Sequence, residues 1–115
     1  MRHSNANRKF GRISKVRKGL MNSLALALIT EGRIKTTEAK AKELRPMVEK
    51  LVSYGKDDSQ SARKVLVSKI GSIGAQKIVK DLSPKYATRA GGYTRITKLP
   101  RRLSDGSPMA VIEFV

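Results

Sequence analysis

The chain has 115 residues and a formal net charge of +16, with 25 lysines and arginines against 9 aspartates and glutamates. This charge implies a polyanionic partner, and nucleic acid is the first candidate because each neutralised phosphate releases counterions and strengthens binding. An anionic membrane is the second candidate, but no segment is long and apolar enough to span it. The absence of cysteine excludes a disulfide framework and a thiolate zinc site, and one histidine, His3, cannot build a histidine metal site or a Ser-His-Asp relay.

The first thirteen residues show no hydrophobic periodicity and are predicted to form an extended basic arm. Residues 1–30 contain seven basic residues and no acidic residue. Because solvated tails usually mix both signs of charge, this composition favours an arm that enters folded RNA and becomes ordered there. A solvated, disordered tail and a transit peptide are the alternatives, although the arm continues directly into the first predicted helix.

The first helix is predicted to begin at Ser14, which can cap it, and to end at Glu31, with Gly32 as the C′ residue. Five apolar residues form its predicted core face: Val16, Leu20, Leu24, Ala27 and Leu28. The segment Leu24–Ile29 is apolar all round, which predicts that this end of the helix lies in the core.

The alternating segment Arg33–Thr36 predicts a short strand, and Thr37 can cap a second helix over residues 38–54, closed by Gly55. The predicted core stripe of this helix is Ala41, Leu44, Val48, Leu51 and Val52. The stripe continues through Pro46 without a change of phase, which predicts a kink rather than a break.

Two further helices are predicted before the C-terminal strands. The segment Asp57-Asp58-Ser59 can start a third helix, and Gly71-Ser72 is expected to break it. The apolar residues of the third helix are Ala62, Val65, Leu66 and Ile70. A fourth helix is predicted to end before Pro84, with core residues Ala75, Ile78, Val79 and Leu82.

The C-terminal third predicts two strands, Tyr93–Leu103 and Met109–Val115, joined by a hairpin loop at Ser104–Pro108. The last strand has apolar residues on both of its faces, which is typical of a strand covered on both sides. Met109, Val111 and Val115 lie on one face, and Ala110, Ile112 and Phe114 lie on the other. The prediction is therefore an α+β fold, with about four helices packed on a small mixed three-stranded sheet. The basic arm would span residues 1–13 and a single RNA-binding domain residues 14–115.

The segment Arg89-Ala90-Gly91-Gly92-Tyr93-Thr94-Arg95 combines two glycines, a tyrosine and two arginines in a region without acidic residues. Glycines permit close approach of the backbone to phosphate, with N–H groups pointing outward, and arginine supplies bidentate phosphate contacts. Tyrosine can stack on a base or donate a hydrogen bond. The alternative is an ordinary turn into a strand, with Tyr93 at the edge of the core.

Other patterns are weaker indications of function. The second-helix cations Lys40, Lys42, Arg45 and Lys50 alternate with acidic residues, which is typical of a solvated face. The adjacent carboxylates of Asp57 and Asp58 favour a helix start over a metal site. An aromatic content of 4% argues against base-stacking folds of the RRM or OB type. The sequence also lacks the compact three-helix pattern that is typical of a helix-turn-helix DNA-binding protein.

Five segments in this order resemble the bacterial-type large-subunit ribosomal protein L17 family. They are Met1-Arg2-His3, Gly32-Arg33-Ile34-Lys35-Thr36-Thr37, Ala39-Lys40-Ala41-Lys42-Glu43-Leu44-Arg45-Pro46, Arg89-Ala90-Gly91-Gly92-Tyr93-Thr94-Arg95-Ile96, and Pro108-Met109-Ala110 with Ile112-Glu113. The resemblance runs from Met1 to Val115. The chain departs from the family at Ser4-Asn5-Ala6-Asn7, which is less basic, and at Val16, Asn22 and Ser23, where relatives often carry histidine, arginine and asparagine.

The resemblance implies a structural constituent of the bacterial ribosome in the cytoplasm, without catalysis, cofactor, metal, membrane or small-molecule substrate. Its implied partners are large-subunit ribosomal RNA and neighbouring large-subunit proteins near the polypeptide exit. The alternative function is a free basic DNA- or RNA-binding module, such as a nucleoid or regulatory protein. Charge, motifs and resemblance together predict these RNA-binding residues: Arg2, His3, Arg8, Lys9, Arg12, Lys15, Arg17, Lys18, Arg33, Lys35, Lys40, Lys42, Arg89, Gly91, Gly92, Tyr93, Arg95, Lys98, Arg101 and Arg102.

Overall fold

The computed structural model describes residues 14–57 and 59–115, so the predicted arm lies outside the described residues. The long helices of this part of the chain are α1 (Ser14–Glu31), α2 (Glu38–Lys56) and α3 (Gln60–Lys77). α3 continues into a π-helical segment, Ile78–Leu82, and a short helical turn, Ser83–Lys85. The strands are β1 (Arg33–Thr37), β2 (Thr94–Leu99) and β3 (Met109–Phe114). The predicted α+β class is confirmed, and the boundary between arm and domain stays a prediction.

The sheet has the strand order β1-β3-β2, and both pairs are antiparallel. The predicted mixed sheet is therefore wrong, because β3 runs against both of its neighbours. β2 is also shorter than predicted. Its register places Leu99 opposite Met109, the first residue of β3, and the next residue, Pro100, has no N–H to donate to a neighbouring strand.

The last strand occupies the centre of the sheet, in agreement with its two apolar alternations. Ala110 and Ile112 are fully buried on the side that packs against the helices. Met109 and Val111 point the other way and are still only 8% and 9% exposed. The residues that alternate with the core side are called here the outer face of the sheet: Arg33, Lys35, Thr37, Arg95, Thr97, Leu99, Met109, Val111 and Glu113.

The fully buried residues of α1 all lie in its C-terminal half. Its buried residues are Ala25, Leu28 and Ile29. Val16 is 51% exposed, so the predicted core face is wrong at its N-terminal end, where the helix runs beyond the packing surface of its neighbours. Gly32 ends α1 as predicted, with φ of 83° and its N–H donating to the Leu28 carbonyl at 2.7 Å.

α2 is the central helix, and all five residues of its predicted core stripe are buried. The Thr37 hydroxyl caps it by accepting from the Lys40 N–H at 3.3 Å, and the helix continues through Pro46. The prediction that Gly55 closes α2 is wrong, because the helix extends to Lys56. A β-carbon at Gly55 would collide with the Ile78 side chain and lie 2.5 Å from the Ser83 hydroxyl, so this glycine permits close packing.

The predicted third and fourth helices form a nearly continuous helical path. Ser59 caps α3 by accepting from the Ala62 N–H at 3.2 Å. Gly71 leaves the helical region, with φ of 79° and ψ of 173°, but the helix resumes at once, so the expected count of four helices is not confirmed. Pro84 lies inside the last helical turn rather than after a helix, because proline is tolerated at the first positions of a helix.

Candidate nucleic-acid interface

The outer face of the sheet carries a row of charged residues. Glu113 lies opposite Arg33 on one side and Arg95 on the other. Arg95 donates from Nη2 and Nε to Glu113 Oε1, at 2.7 and 3.1 Å, and Arg33 Nε lies 3.8 Å from Oε2. The hydrogen bond from Arg95, with the charges of both arginines, lowers the pKa of Glu113 from its usual value. The arginine side chains remain 67% and 62% exposed.

Lys35 adds a third cation to this face, directly opposite Val111. It is exposed, so the face carries three cations, of which Arg33 and Arg95 flank the Glu113 carboxylate. Because these residues stand on the two strands that flank β3 in one sheet, hydrogen bonding through β3 fixes their backbone positions relative to one another. The outer face can thus present a fixed pattern of positive charge to a polyanion.

A second basic region lies where β2 ends and α2 begins. Glu38 Oε1 forms a salt bridge with Lys42 Nζ at 2.8 Å and lies 3.9 Å from Lys98 Nζ. The hydrogen bond from Lys42 is the main cause of a lowered pKa at Glu38. In the loop after β2, Arg101 donates to the Gly106 carbonyl at 3.0 Å and Arg102 pairs with Asp105 at 3.4 Å.

The glycine segment is held by one carboxylate of α2. Glu49 accepts from the Gly92 N–H at 3.0 Å, from the Thr94 hydroxyl at 2.9 Å and from Arg45 Nε at 3.2 Å. The expectation that free N–H groups of this segment point outward is therefore wrong at Gly92, because the Gly92 N–H already donates a hydrogen bond to Glu49. Sequence patterns missed this contact, which joins residues 43 positions apart.

The structure favours the alternative interpretation of Tyr93 as a core residue. Its side chain is 1% exposed, and its ring packs against Tyr86 with a centroid distance of 5.0 Å. Its hydroxyl donates to the Arg89 carbonyl at 3.1 Å and lies 3.2 Å from Lys56 Nζ. A ring buried in this way offers no free face to a base, so its predicted role in stacking loses its support.

Gly91 and Gly92 have φ of 134° and 64°, and a β-carbon at either position would meet no atom within 4 Å. The backbone conformation therefore requires glycine, while the space around it is open. Arg89 beside this turn is exposed. Close approach of an RNA backbone to the turn is sterically possible.

The N-terminal half of α1 forms another basic surface. Lys15 and Lys18 are exposed, and Arg17 is half-buried. Arg17 and Lys18 also line a groove between α1, α2 and α3, called here the three-helix groove, with a volume of about 730 Å³. This groove is not apparent from the sequence, because residues from three separate helices form it. Its polar and aromatic lining includes Arg17, Lys18, Glu43, Lys50, Tyr54 and Lys69.

The predicted RNA-binding residues do not converge on one pocket. They occupy the outer face of the sheet, the region around Glu38, the glycine segment and the start of α1. Lys40 is half-buried at the beginning of α2. Five predicted residues lie outside the described residues: Arg2, His3, Arg8, Lys9 and Arg12.

Residues 14–57 and 59–115 contain neither a membrane-spanning helix nor a cluster of metal ligands. None of the helices there has the length and apolarity needed to cross a membrane. In the same residues, histidine and carboxylate side chains do not gather in groups of three or more that could hold a metal ion.

Comparison with known proteins gives a consistent family. The family model described as Ribosomal protein L17 matches residues 20–115. The large ribosomal subunit protein bL17 of Shouchella clausii is 47% identical, covering 93% of this chain and 97% of that protein. The proteins of the same name from Nautilia profundicola and Gemmatimonas aurantiaca are 43% and 47% identical, each covering 100% of this chain and 98% of the relative. The chain belongs to the ribosomal protein L17 family of the large ribosomal subunit.

Proposed function

We propose that this chain is a structural constituent of the large ribosomal subunit that binds and stabilises large-subunit ribosomal RNA and thereby supports translation. The observation that carries the proposal is the outer face of the sheet, where exposed Arg33 and Arg95 flank the carboxylate of Glu113 and exposed Lys35 adds a third cation. This surface belongs to a chain of net charge +16, which requires a polyanionic partner of matching extent.

Glu113 holds Arg95 by hydrogen bonds and lies near Arg33, and the three cations of the face still exceed this one carboxylate. Arg33 and Arg95 stand two strand spacings apart, about 10 Å, on either side of Glu113. Two hydrogen bonds to the carboxylate restrict the Arg95 side chain, so less conformational entropy is lost when an RNA phosphate binds it. Guanidinium groups bind phosphate through paired N–H donors, which suits them to positions that fix RNA segments relative to one another.

The other basic regions extend this surface. The glycine segment is rigid through Glu49 and open to solvent, so its proposed contact to RNA is made by the exposed Arg89 and the accessible backbone of Gly91. Lys15, Arg17 and Lys18 continue the positive charge along α1. Arg2, His3, Arg8, Lys9 and Arg12 of the predicted arm would supply additional contacts.

The proposed partners are large-subunit ribosomal RNA and neighbouring ribosomal proteins near the polypeptide exit, in the cytoplasm of a bacterium. The proposed role is positional, without catalysis, cofactor or small-molecule substrate. Family membership supports these assignments, since the relatives carry the name of a large-subunit protein.

Sedimentation of a cell lysate tests the assignment to the ribosome. A ribosomal constituent travels with large subunits and remains there after a moderate-salt wash, whereas a free nucleic-acid-binding module stays near the top of the gradient. Recovery of most of the protein outside the subunit peak would contradict the proposal. Crosslinking within intact ribosomes, with mapping of the RNA positions, then identifies the contacted segments.

A charge-removal pair tests the outer face. The double variant Arg33→Gln/Arg95→Gln should weaken binding to large-subunit ribosomal RNA. It should also reduce the magnitude of the slope of log affinity against log salt by about 2, since each lost phosphate contact lowers it by about 1. The matched control is Lys64→Gln/Lys80→Gln, which removes the same charge from exposed positions of α3 and the π-helical segment. Equal losses in both pairs would show a diffuse charge effect and would remove the outer face as the specific surface.

A further inference from the structure

We propose that the three-helix groove receives one unpaired nucleotide of the ribosomal RNA, with its base against Tyr54 and the adjoining phosphates on the surrounding cations. This inference rests on the proposed function, because it specifies where and how the same RNA is held. It adds Lys50, Tyr54 and Lys69 to the contact surface.

The size and lining of the groove suit a single nucleotide. Its volume of about 730 Å³ lies within the usual range for small-ligand sites, roughly 300–1,000 Å³. Met21 of α1 with Met47 and Leu51 of α2 provides an apolar floor, and the cations stand among the same lining residues. An apolar floor beside positive charge matches a base with its phosphates.

Charge complementarity favours an anion. Four cations line the groove, Arg17, Lys18, Lys50 and Lys69, against one acidic lining residue, Glu43. None of the four cations forms an ion pair with another described residue, whereas Arg95 and Lys42 elsewhere on the surface are paired. Cations brought together from three helices repel one another, and a phosphate group would relieve that repulsion.

Tyr54 provides the aromatic surface that the buried Tyr93 cannot. It is 43% exposed and follows Pro46 and Lys50 at four-residue intervals, so the three residues form one stripe along α2. This stripe lies on the opposite side of the helix from the buried core stripe. A half-exposed ring at the wall of a groove can stack on any base, which is a sequence-tolerant contact.

Binding of large-subunit ribosomal RNA transcribed in vitro tests the groove, using the full-length protein and three sets of variants. Tyr54→Ala should weaken binding about tenfold, the loss typical of one base–aromatic stack, and Tyr54→Phe should bind like the parent. Lys50→Gln/Lys69→Gln should lower the affinity and reduce the magnitude of the slope of log affinity against log salt by about 2, the value expected for two lost phosphate contacts. The control pair Lys64→Gln/Lys80→Gln should lose less affinity than the groove pair.

Folding is checked by circular dichroism and melting temperature for each variant, and Tyr54→Phe keeps the test informative if Tyr54→Ala is destabilised. A photoreactive phenylalanine analogue placed at position 54 provides an independent measurement in intact ribosomes. The proposal predicts a crosslink to a ribosomal RNA nucleotide. A crosslink to protein alone would overturn it in favour of an acidic protein segment in the groove.

The outcomes also separate this inference from the proposed function. If the parent fails to bind ribosomal RNA or to sediment with large subunits, the proposed function itself is wrong. If the parent binds and Tyr54→Ala and Lys50→Gln/Lys69→Gln bind equally well, only the groove inference is overturned.

Discussion

At the scale of single residues, carboxylates organise the basic surface. Glu49 holds the glycine segment, Glu113 binds Arg95 and lies near Arg33, and Glu38 pairs with Lys42 and lies near Lys98. Each of these acids has several cationic or N–H neighbours, so its substitution should change the geometry of cations as well as the net charge. This makes the few acids of the folded part informative positions for mutation.

The pairing of Glu113 should make stability depend on pH. The arginines lower its pKa in the folded protein, so its contribution to stability is complete above the unfolded value, about 4.3, and is lost as pH falls through the folded pKa. We expect the parent to exceed Glu113→Gln in free energy of unfolding by a constant amount between pH 6 and pH 7. Denaturant titrations should show this difference shrinking below about pH 4. A difference independent of pH would contradict the pairing.

The conformation of Gly92 predicts an ordered series of stabilities. Gly92→Ala should lower the free energy of unfolding by about 1–2 kcal/mol, because a β-carbon at φ of 64° is disfavoured even in open space. Gly92→Asn should cost less, since asparagine enters this region more readily. Urea denaturation measures both variants, and equal costs for the two would indicate that another effect dominates.

The same glycine also tests contact with RNA. We expect Gly91→Val, Gly92→Ala and Arg95→Ala to weaken RNA binding after correction for any unfolded fraction. Arg95→Ala removes a charge with little backbone strain and so serves as the reference. If all three folded variants bind like the parent, the glycine segment is structural and the contact surface lies elsewhere.

At the scale of secondary structure, two glycines in helices should respond oppositely to alanine. Gly19 in α1 has no atom within 4 Å of a β-carbon, so Gly19→Ala should stabilise the protein by about 0.5–1 kcal/mol through helix propensity. Gly55→Ala should destabilise it by roughly 1–3 kcal/mol, because the methyl group collides with Ile78 and Ser83. Thermal or urea unfolding of both variants tests the pair, and stabilisation by Gly55→Ala would disprove the close packing.

The position of β3 predicts its exchange behaviour. β3 is paired on both edges, and its residues Ala110 and Ile112 are fully buried. We expect the amides of β3 to be among the slowest to exchange with deuterium, close to the limit set by global unfolding. The amides at the start of α1, where Val16 is exposed, should exchange much faster. Fast exchange throughout β3 would contradict the sheet order.

At the scale of the whole molecule, the distribution of charge predicts a steep dependence on salt. If the protein neutralises about 6–10 phosphates, its affinity for ribosomal RNA should fall by roughly 10³–10⁵ between 50 and 200 mM salt, by the rule for duplex DNA. Filter binding over this range measures the slope. A nearly flat response would remove the electrostatic basis of the proposed function.

The sequence by itself determined the α+β class, the core stripe of α2, the cap at Thr37, the segment in which α3 begins, and the family. Periodicity, capping and family motifs depend on residues close in the chain, so they are readable without coordinates. The central position of β3 was also indicated, because a strand with two apolar alternations requires cover on both faces.

Only the tertiary structure decided which chemical groups meet. It placed Glu49 on the Gly92 N–H, buried Tyr93 against Tyr86, and made Gly55 a point of close packing instead of a helix end. It also brought Lys50, Tyr54 and Lys69 to one groove with the start of α1. These contacts join residues from separate elements, and their geometry follows from how helices and sheet pack together, which local sequence patterns do not encode.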